Sequence, residues 1–380
     1  MRRIYLDNNA STPIAPEVAE AMLAAMKTAY GNPSSGHWAG EPARTLVETA
    51  RVQVADLLGC GPDEVVFTSG GSEANNFALK GAFFKSNRQS PHFITSQVEH
   101  PAIVAPLTFL ESLGATVDRL PADGSGRVDP EDLRRAIKPD TVLISIMHAN
   151  NEVGTIQPIE ECVAIAMEHG IPFHTDAAQS VGKIPTRVDE LGVDLLTIAG
   201  HKFYAPKGIG ALYIRKGIDL EPLVHGAGHE GGRRAGTESA LFAAALGQAC
   251  VLARDLAPAQ QVAVLRDRFW NALQDRFGAD VVLNGHPEER LPNTLNVSFV
   301  GHIGAEILAA IPEIAASTGS ACHAGRIELS PVLDAMGVLP EIGMGAVRFS
   351  LGRYTTQEDV DEAARALTEA LTSAGRGTGN

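Results

Sequence analysis

In the stretch His174 to Lys202, HTDAAQSVGKIPTRVDELGVDLLTIAGHK, a carboxylate, Asp176, closes one apolar run and a His-Lys pair closes the next. The carboxylate and the lysine lie 26 residues apart. That spacing lets both stand at neighbouring strand ends if the chain between them makes one crossover. An amine that can form a reversible Schiff base, with a carboxylate that keeps a pyridine nitrogen protonated, is what pyridoxal phosphate needs to act as an electron sink. Lys202 and Asp176 are the candidates. A helix N-cap for Asp176 and an exposed loop lysine for Lys202 are the plainer readings. Both lose ground because two such groups end successive strands, where open parallel sheets bind ligands.

Other groups can serve the same site. TSGGSEANN, Thr68 to Asn76, follows a strand and opens a helix, so Gly70 and Gly71 allow close backbone approach, and Ser72 with the first helical amides can bind phosphate. The competing reading is a plain glycine turn with Ser72 as N-cap. His100, in QVEHPAI just past a strand end, can stack on an aromatic ring and move protons. Gln179 suits the ring oxygen of the cofactor and His201 its phosphate. HANNEVG puts Asn150 and Asn151 at another strand end, where Asn151 can contact ring or substrate, although paired asparagines also make ordinary turns. GAGHEGGRRAGTE, Gly226 to Glu238, reads as an anion-binding loop with Thr237 near a helix start, or as a surface loop. Arg348, in AVRFSLGR, can hold a substrate carboxylate through two parallel hydrogen bonds, the alternative being a surface strand arginine.

The four cysteines differ in setting. Cys162 and Cys250 fall in helical patterns of small and apolar residues, and Cys60 sits in a glycine-bounded turn. Cys322 lies in STGSACHAG, a small, polar loop flanked by Gly319 and Gly325, with His323 beside it. A loop thiol so placed can have a depressed pKa and act as a nucleophile. No CxxC pair occurs, so neither a zinc site nor a disulfide framework is suggested, no metal is expected, and a reducing cytoplasm fits best.

The elements that must position these groups alternate. VVFTSG (Val65 to Gly70), HFITSQ (His92 to Gln97), TVLISIMHA (Thr141 to Ala149), PFHTDA (Pro172 to Ala177), DLLTIAG (Asp194 to Gly200) and GALYIRKG (Gly210 to Gly217) read as buried strands. Helical patterns separate them, one opened by Asp129 as N-cap before Pro130. This is the pattern of an α/β domain with a largely parallel sheet. After about Asp255 the spacing changes to that of a smaller α+β unit. The expected division is 15–255 for the large domain, with 1–14 and 256–380 forming the small one that carries Cys322. In TTQEDVDEAARALTEALTSA, Thr355 and Glu358 have capping-box spacing, and the glycine-rich tail beyond reads as frayed.

The 380 residues exceed the size at which single cores stop growing. With 44% hydrophobic and 20% charged residues, the composition is that of a folded globular chain. A formal charge of −14, with no compensating basic block, opposes direct binding to nucleic acid. The N-terminus, MRRIYLDNNASTP, shows no apolar signal core, and no stretch reads as a membrane span.

Taken in order, YLDNNASTP, GNPSSGHWAG, FTSGGSEANN, VEHPAI, HANNEVGTIQP, HTDAAQSVGK, GHKFYAPKGIGALYIR, GHEGGRRAGTE, LPNTLNVSF, STGSACHAG and RFSLGRYTT span nearly the whole chain. Together they resemble the cysteine desulfurases of the class V aminotransferase family, and also the related selenocysteine lyases. The resemblance implies a fold-type I pyridoxal phosphate enzyme, with a mainly parallel seven-stranded sheet in its large domain and a smaller α+β domain. It implies that Lys202 carries the cofactor as a Schiff base, that Asp176 binds the pyridine nitrogen, that His100 stacks on the ring, and that Gln179 meets the ring hydroxyl. Ser72, His201 and Thr237 of the neighbouring subunit would hold the phosphate, so a homodimer is implied. Asn151 and Arg348 would bind the substrate carboxylate, and Cys322 would accept the sulfur. The implied partners are L-cysteine or L-selenocysteine and a sulfur acceptor, such as an iron-sulfur scaffold or a tRNA thiolation enzyme.

Three positions depart from that pattern. Ala199 stands where many relatives place a phosphate-binding serine, a hydrogen bond on the order of 1 kcal/mol. Ser72 stands where threonine is common, and Ala-Cys-His around Cys322 is similar to some selenocysteine lyases. Selenocysteine lysis is therefore the alternative to cysteine desulfuration. Amino-group transfer would leave Cys322 without a role, and a non-catalytic sulfur-carrier scaffold would leave Lys202 without one.

Overall fold

Neighbouring residues of the central strands belong to different cores. Val66, Phe93, Leu143, Leu195 and Leu212 pack in one buried cluster, while Val65, Ile94, Ile144, Leu196 and Ala211 pack in another. A strand turns successive side chains to opposite faces, so a sheet with apolar residues at every position must be covered on both sides. The first face is covered by helices Gly71–Lys85 and Pro101–Glu111, and the second by Glu41–Leu58, Ile159–Glu168 and Ala240–Ala253.

The structure is a computed structural model and describes residues 2–318, 320–323 and 326–374. In chain order its strands are β1 (Ile4–Tyr5), β2 (Val65–Thr68), β3 (His92–Ser96), β4 (Thr116–Leu120), β5 (Thr141–Ser145), β6 (Phe173–Asp176), β7 (Leu195–Ala199), β8 (Gly210–Ile214), β9 (Val281–Asn284), β10 (Thr294–Phe299), β11 (Ile314–Ala315), β12 (Ser317–Thr318), β13 (Ser320–His323), β14 (Arg326–Leu329) and β15 (Ala346–Ser350). The large sheet has seven strands in the order β2-β8-β7-β6-β5-β3-β4. From β7 to β4 it is parallel, and β8 runs antiparallel to both β2 and β7. This is the fold-type I architecture, and six of its seven strands are those expected from sequence. The seventh, β4, is an edge strand of sequence TVDRL in which only Leu120 is buried. It therefore lacks the apolar run that marks the others.

The small sheet, β12-β15-β10-β9, is antiparallel, and its core includes Phe269, Val297, Phe299, Val347, Phe349 and Leu367. Ile4 and Leu6 join that core, and β1 pairs with β11 in parallel. A further cluster of Val98, Met147 and Val153 with Val332, Leu333 and Ala346 packs strand-end loops of the large sheet against elements of the small one.

Asp129 caps the helix Pro130–Ala136 as expected, accepting from the Glu131 amide at 2.9 Å. The expected capping box at Thr355 and Glu358 is corrected by one residue. The final helix, Gln357–Ala374, is opened by Thr356 and Asp359, whose side chains each accept from the other's amide, at 3.2 and 2.8 Å. Thr355 is otherwise engaged, its hydroxyl accepting from the Gly352 amide at 2.9 Å. The glycine-rich tail lies outside the described residues. No single helix among the described residues is long and apolar enough to cross a membrane.

Candidate active site

Four parallel strands of the large sheet deliver their carboxyl ends to one cleft of about 360 Å³. β3 leads to His100, β5 to Asn151, β6 ends on Asp176, and β7 runs through Ala199 into the turn Gly200–Lys202. Gly71, Ser72, Gln179, His201 and Lys207 complete the wall together with these residues. The site therefore lies where an open parallel sheet leaves its helices apart.

Asp176 is almost wholly buried, and its two oxygens are held separately. Oδ2 accepts from Asn75 Nδ2 at 2.7 Å and Oδ1 from the Ala178 amide at 2.9 Å. Lys202 Nζ donates to the carbonyls of Asn9 and Ala10, at 2.7 and 3.0 Å. Burial pulls its pKa down to about 8, with the Arg348 charge acting the same way against the pull of Asp176 and Asp7. An amine so adjusted is partly neutral near pH 8, the form that can add to a carbonyl carbon. Two residues further on, Tyr204 is held in the left-handed region at φ 75°, its amide on Thr12 Oγ1 and its hydroxyl on the Arg353 amide. Such strain is retained where the surroundings over-determine it.

His100 caps its own helix. Its Nδ1 accepts from the Ala102 amide at 3.0 Å, which leaves Nε2 as the ring atom that carries the proton. Burial lowers its pKa, so the ring is neutral at physiological pH. Burial likewise takes His201 down to about 4, so it serves as a hydrogen-bonding group and not as a cation. Glu99, directly before His100, is fully enclosed and pushed up to about 8, and its Oε1 accepts from Ser96 Oγ and the Met147 amide.

At the other side, Gly70 has φ 151° and precedes the helix Gly71–Lys85. Ser72 lies inside the first turn of that helix, with Gly70 at the cap position, so the N-cap reading of Ser72 is set aside. A Cβ on Gly71 would stand 3.0 Å from the Cβ of Ala199. The helix amides, with the positive end of the helix dipole, are open to an anion there.

Not every expected residue converges. Arg348 is buried in β15, its Nη1 on the Asn151 carbonyl and its Nη2 on Asp7 Oδ1, both at 2.9 Å, so it is neither a surface arginine nor a free fork. Asn151 joins it to the cleft and keeps a buried Oδ1 with no partner among the described residues. Thr237 lines a neighbouring hollow with Ser69, Gly208 and Arg234. The arginines of its loop are already engaged: Arg234 pairs with Glu73, and Arg233 Nε donates to the Glu230 carbonyl. Cys322 is placed by its backbone in β13, opposite Ile327 of β14, where a loop was expected. Its side chain, with Gly319 and Gly325, lies outside what is described. Burial raises the other three thiols, Cys60 and Cys162 to about 12 and Cys250 beyond, which keeps them protonated and inert.

Asn9, Asn75, Glu99, Lys183 and Lys207 were assigned no role from sequence. All five sit inside motifs that resembled the family, DNNAST, GGSEANN, VEHPAI, QSVGK and GHKFYAPKG, and that was the available signal. The buried carboxylate held by Asn75, the amine adjusted to about 8, the glycine turn at a helix start and the unpartnered Asn151 Oδ1 together fit pyridoxal phosphate and an amino acid. No group of three or more metal-binding side chains occurs among the described residues.

Residues 4–363 match the class-V aminotransferase family. A protein named cysteine desulfurase IscS from Dictyoglomus turgidum is 49% identical over 367 residues, which span 95% of this chain and 92% of that protein. Another of the same name, from Methanosarcina thermophila, is 46% identical over 372 residues, spanning 97% and 92%. Among solved structures, a NifS-like protein superposes with a TM-score of 0.92 at 37% identity, covering 98% of this chain and 100% of the other. SspA in complex with cysteine superposes with a TM-score of 0.83 at 39% identity, covering 93% and 100%.

Proposed function

The chain belongs to the class-V aminotransferase family, and we propose that it acts there as a cysteine desulfurase, moving the sulfur of L-cysteine onto Cys322 and releasing L-alanine. The observation that carries this reading is the meeting of Asp176 and an amine adjusted to about 8, Lys202, in one cleft. Pyridoxal phosphate is the cofactor of this family, and when bound it supplies the electron sink for chemistry at the substrate's α-carbon.

The side chains divide the work. Asp176, fixed by Asn75 and Ala178, would hold the proton on the pyridine nitrogen. His100 would lie against the ring, Gln179 would meet its hydroxyl, and Gly71, Ser72 and His201 would hold the phosphate. Lys202 Nζ, brought down to about 8, is suited both to anchoring the cofactor and to taking and returning the proton of the substrate α-carbon. Asn151 and Arg348 would orient the substrate carboxylate. The Cys322 thiolate then bonds to the substrate sulfur, the substrate's C–S bond breaks with its electron pair left on carbon, and a proton taken up there completes L-alanine.

The separate place of Thr237 supports a homodimer in which each chain completes the other's phosphate site. The separate apolar clusters support a division into residues 15–255 and a small domain of 1–14 with 256–380. A persulfide serves an acceptor protein, an iron-sulfur scaffold or a tRNA thiolation enzyme, and a reducing cytoplasm suits a reactive thiol.

The test is mass spectrometry of Cys322 after incubation with cysteine or selenocysteine, with alanine counted in parallel. We expect a persulfide on Cys322 with cysteine, and none in Cys322→Ala, which still binds cofactor. Unimpaired alanine release from cysteine in that variant would sink the assignment. Alanine formed from selenocysteine alone would make the protein a selenocysteine lyase.

A further inference from the structure

Lys183 stands behind the cleft, four residues after Gln179. Its Nζ donates to Gln179 Oε1 at 3.0 Å and reaches Asn9 Oδ1 at 3.5 Å. Asn9 cannot turn to meet it differently, because its Oδ1 also accepts from Asn293 and its Nδ2 donates to Thr294. With the amide oxygen of Gln179 facing Lys183, its NH₂ must face the other way. One hydrogen goes to the Asn9 carbonyl at 3.0 Å, the same oxygen that takes Lys202 Nζ. The second remains for whatever lies in the cleft, which Gln179 lines.

We infer that Lys183 is a positioning residue that locks the Gln179 amide with its NH₂ toward the cleft, so that the cofactor's ring hydroxyl meets a hydrogen-bond donor. The inference rests on the cofactor reading above. It gives a role to a buried amine that the desulfuration chemistry leaves unused.

Charge must be separated from orientation. Burial, Lys202 and Arg348 together bring Lys183 down to about 7. Asp176 and Asp7 act on Lys202, and Asp255 and Arg353 line the cavity of about 40 Å³ that the two lysines share. A nearby positive charge and a donor to the ring oxygen both favour its anionic form, so removing either moves the titration of the bound cofactor in the same direction. Only a pair of backgrounds distinguishes them.

The experiment follows cofactor absorbance against pH in the holoprotein for the natural chain, Lys183→Met, Lys183→Arg, Gln179→Ala and the double variant Lys183→Met with Gln179→Ala. Lys183→Met should raise the titration midpoint by about one pH unit, and Lys183→Arg, which keeps the donors, should restore it. In the Gln179→Ala background, Lys183→Met should add nothing further. Equal shifts in both backgrounds would overturn the proposal in favour of charge alone, and so would an unmoved midpoint in Lys183→Met. If Lys183→Met fails to retain cofactor, Lys183→Leu, which likewise has no donor to offer Gln179, carries the same comparison. A natural chain that binds no chromophore would instead refute the cofactor reading.

Discussion

Four strand ends of the large sheet bring His100, Asn151, Asp176 and Lys202 to one cleft, whereas Cys322 rides on the hairpin β13–β14, which among the described residues pairs with neither large nor small sheet. Cleft residues are fixed individually, as Asp176 is by Asn75 and His100 by the Ala102 amide. The Cys322 segment is fastened at its ends. Ser317 Oγ donates to Asp7 Oδ1 at 2.8 Å, and Ser330 Oγ to Glu152 Oε2. Both fastenings reach the side of the site where Asn151 and Arg348 stand, since Asp7 also holds Arg348 and Glu152 follows Asn151. On the reading proposed above, groups that would bind and polarise a ring are set by a sheet, while the thiol that would accept sulfur is carried outside it.

That contrast can be broken from either side. The largest effect is expected from Asn75→Ala, which strips a donor from a buried carboxylate at a cost of about 1–3 kcal/mol. Equilibrium dialysis should show cofactor held roughly 5- to 150-fold more weakly, while alkylation of Cys322 keeps its rate; a parallel change in alkylation would show that the two regions are not separate. Removing both fastenings, Ser317→Ala with Ser330→Ala, should slow persulfide formation by roughly 5- to 30-fold, as two hydrogen bonds of about 1 kcal/mol imply. Cofactor absorbance should be unchanged, and its loss would count against the division.

A third prediction concerns the pH dependence of stability at Glu99. Its folded pKa of about 8 lies above the unfolded 4.5, so the folded chain holds a proton that the unfolded chain releases. The resulting stability is complete below the unfolded value and is lost as pH rises toward 8, at about 1.4 kcal/mol per unit. Glu99→Gln should therefore unfold with a flatter pH profile between those values, and denaturant titrations that superimpose across that window would refute a neutral Glu99.

Much of this was legible in the sequence, because strands buried on both faces are apolar throughout and because reactive residues fall at their ends. β4 escaped since an edge strand needs no such run. Cys322 was read as a loop residue because small and polar residues around glycine mark turns, and its strand is only 4 residues long. Asn9 and Lys183 escaped for another reason. Asn9 acts through contacts across 170 or more residues, with Gln179, Lys183 and Lys202, and Lys183, though only four residues from Gln179, matters because the fold buries its amine there, which nothing local announces.

The opening segment of the chain has a consequence for how the molecule is made. Asn8 bonds the carbonyl of Ser350, a separation of 342 residues, and Asn9 bonds Thr294 and Lys202. Loop closure over such lengths is entropically costly, so these contacts form only after the elements at both ends exist. A chain synthesised from its N-terminus emits residues 7–12 well before Lys202, and Thr294 and Ser350 later still. The sheet can form while the ribosome is still at work, but Lys202 gains the carbonyls that hold it only when the opening segment is captured between the two cores. The hold on Lys202 thus depends on residues that are emitted long after it.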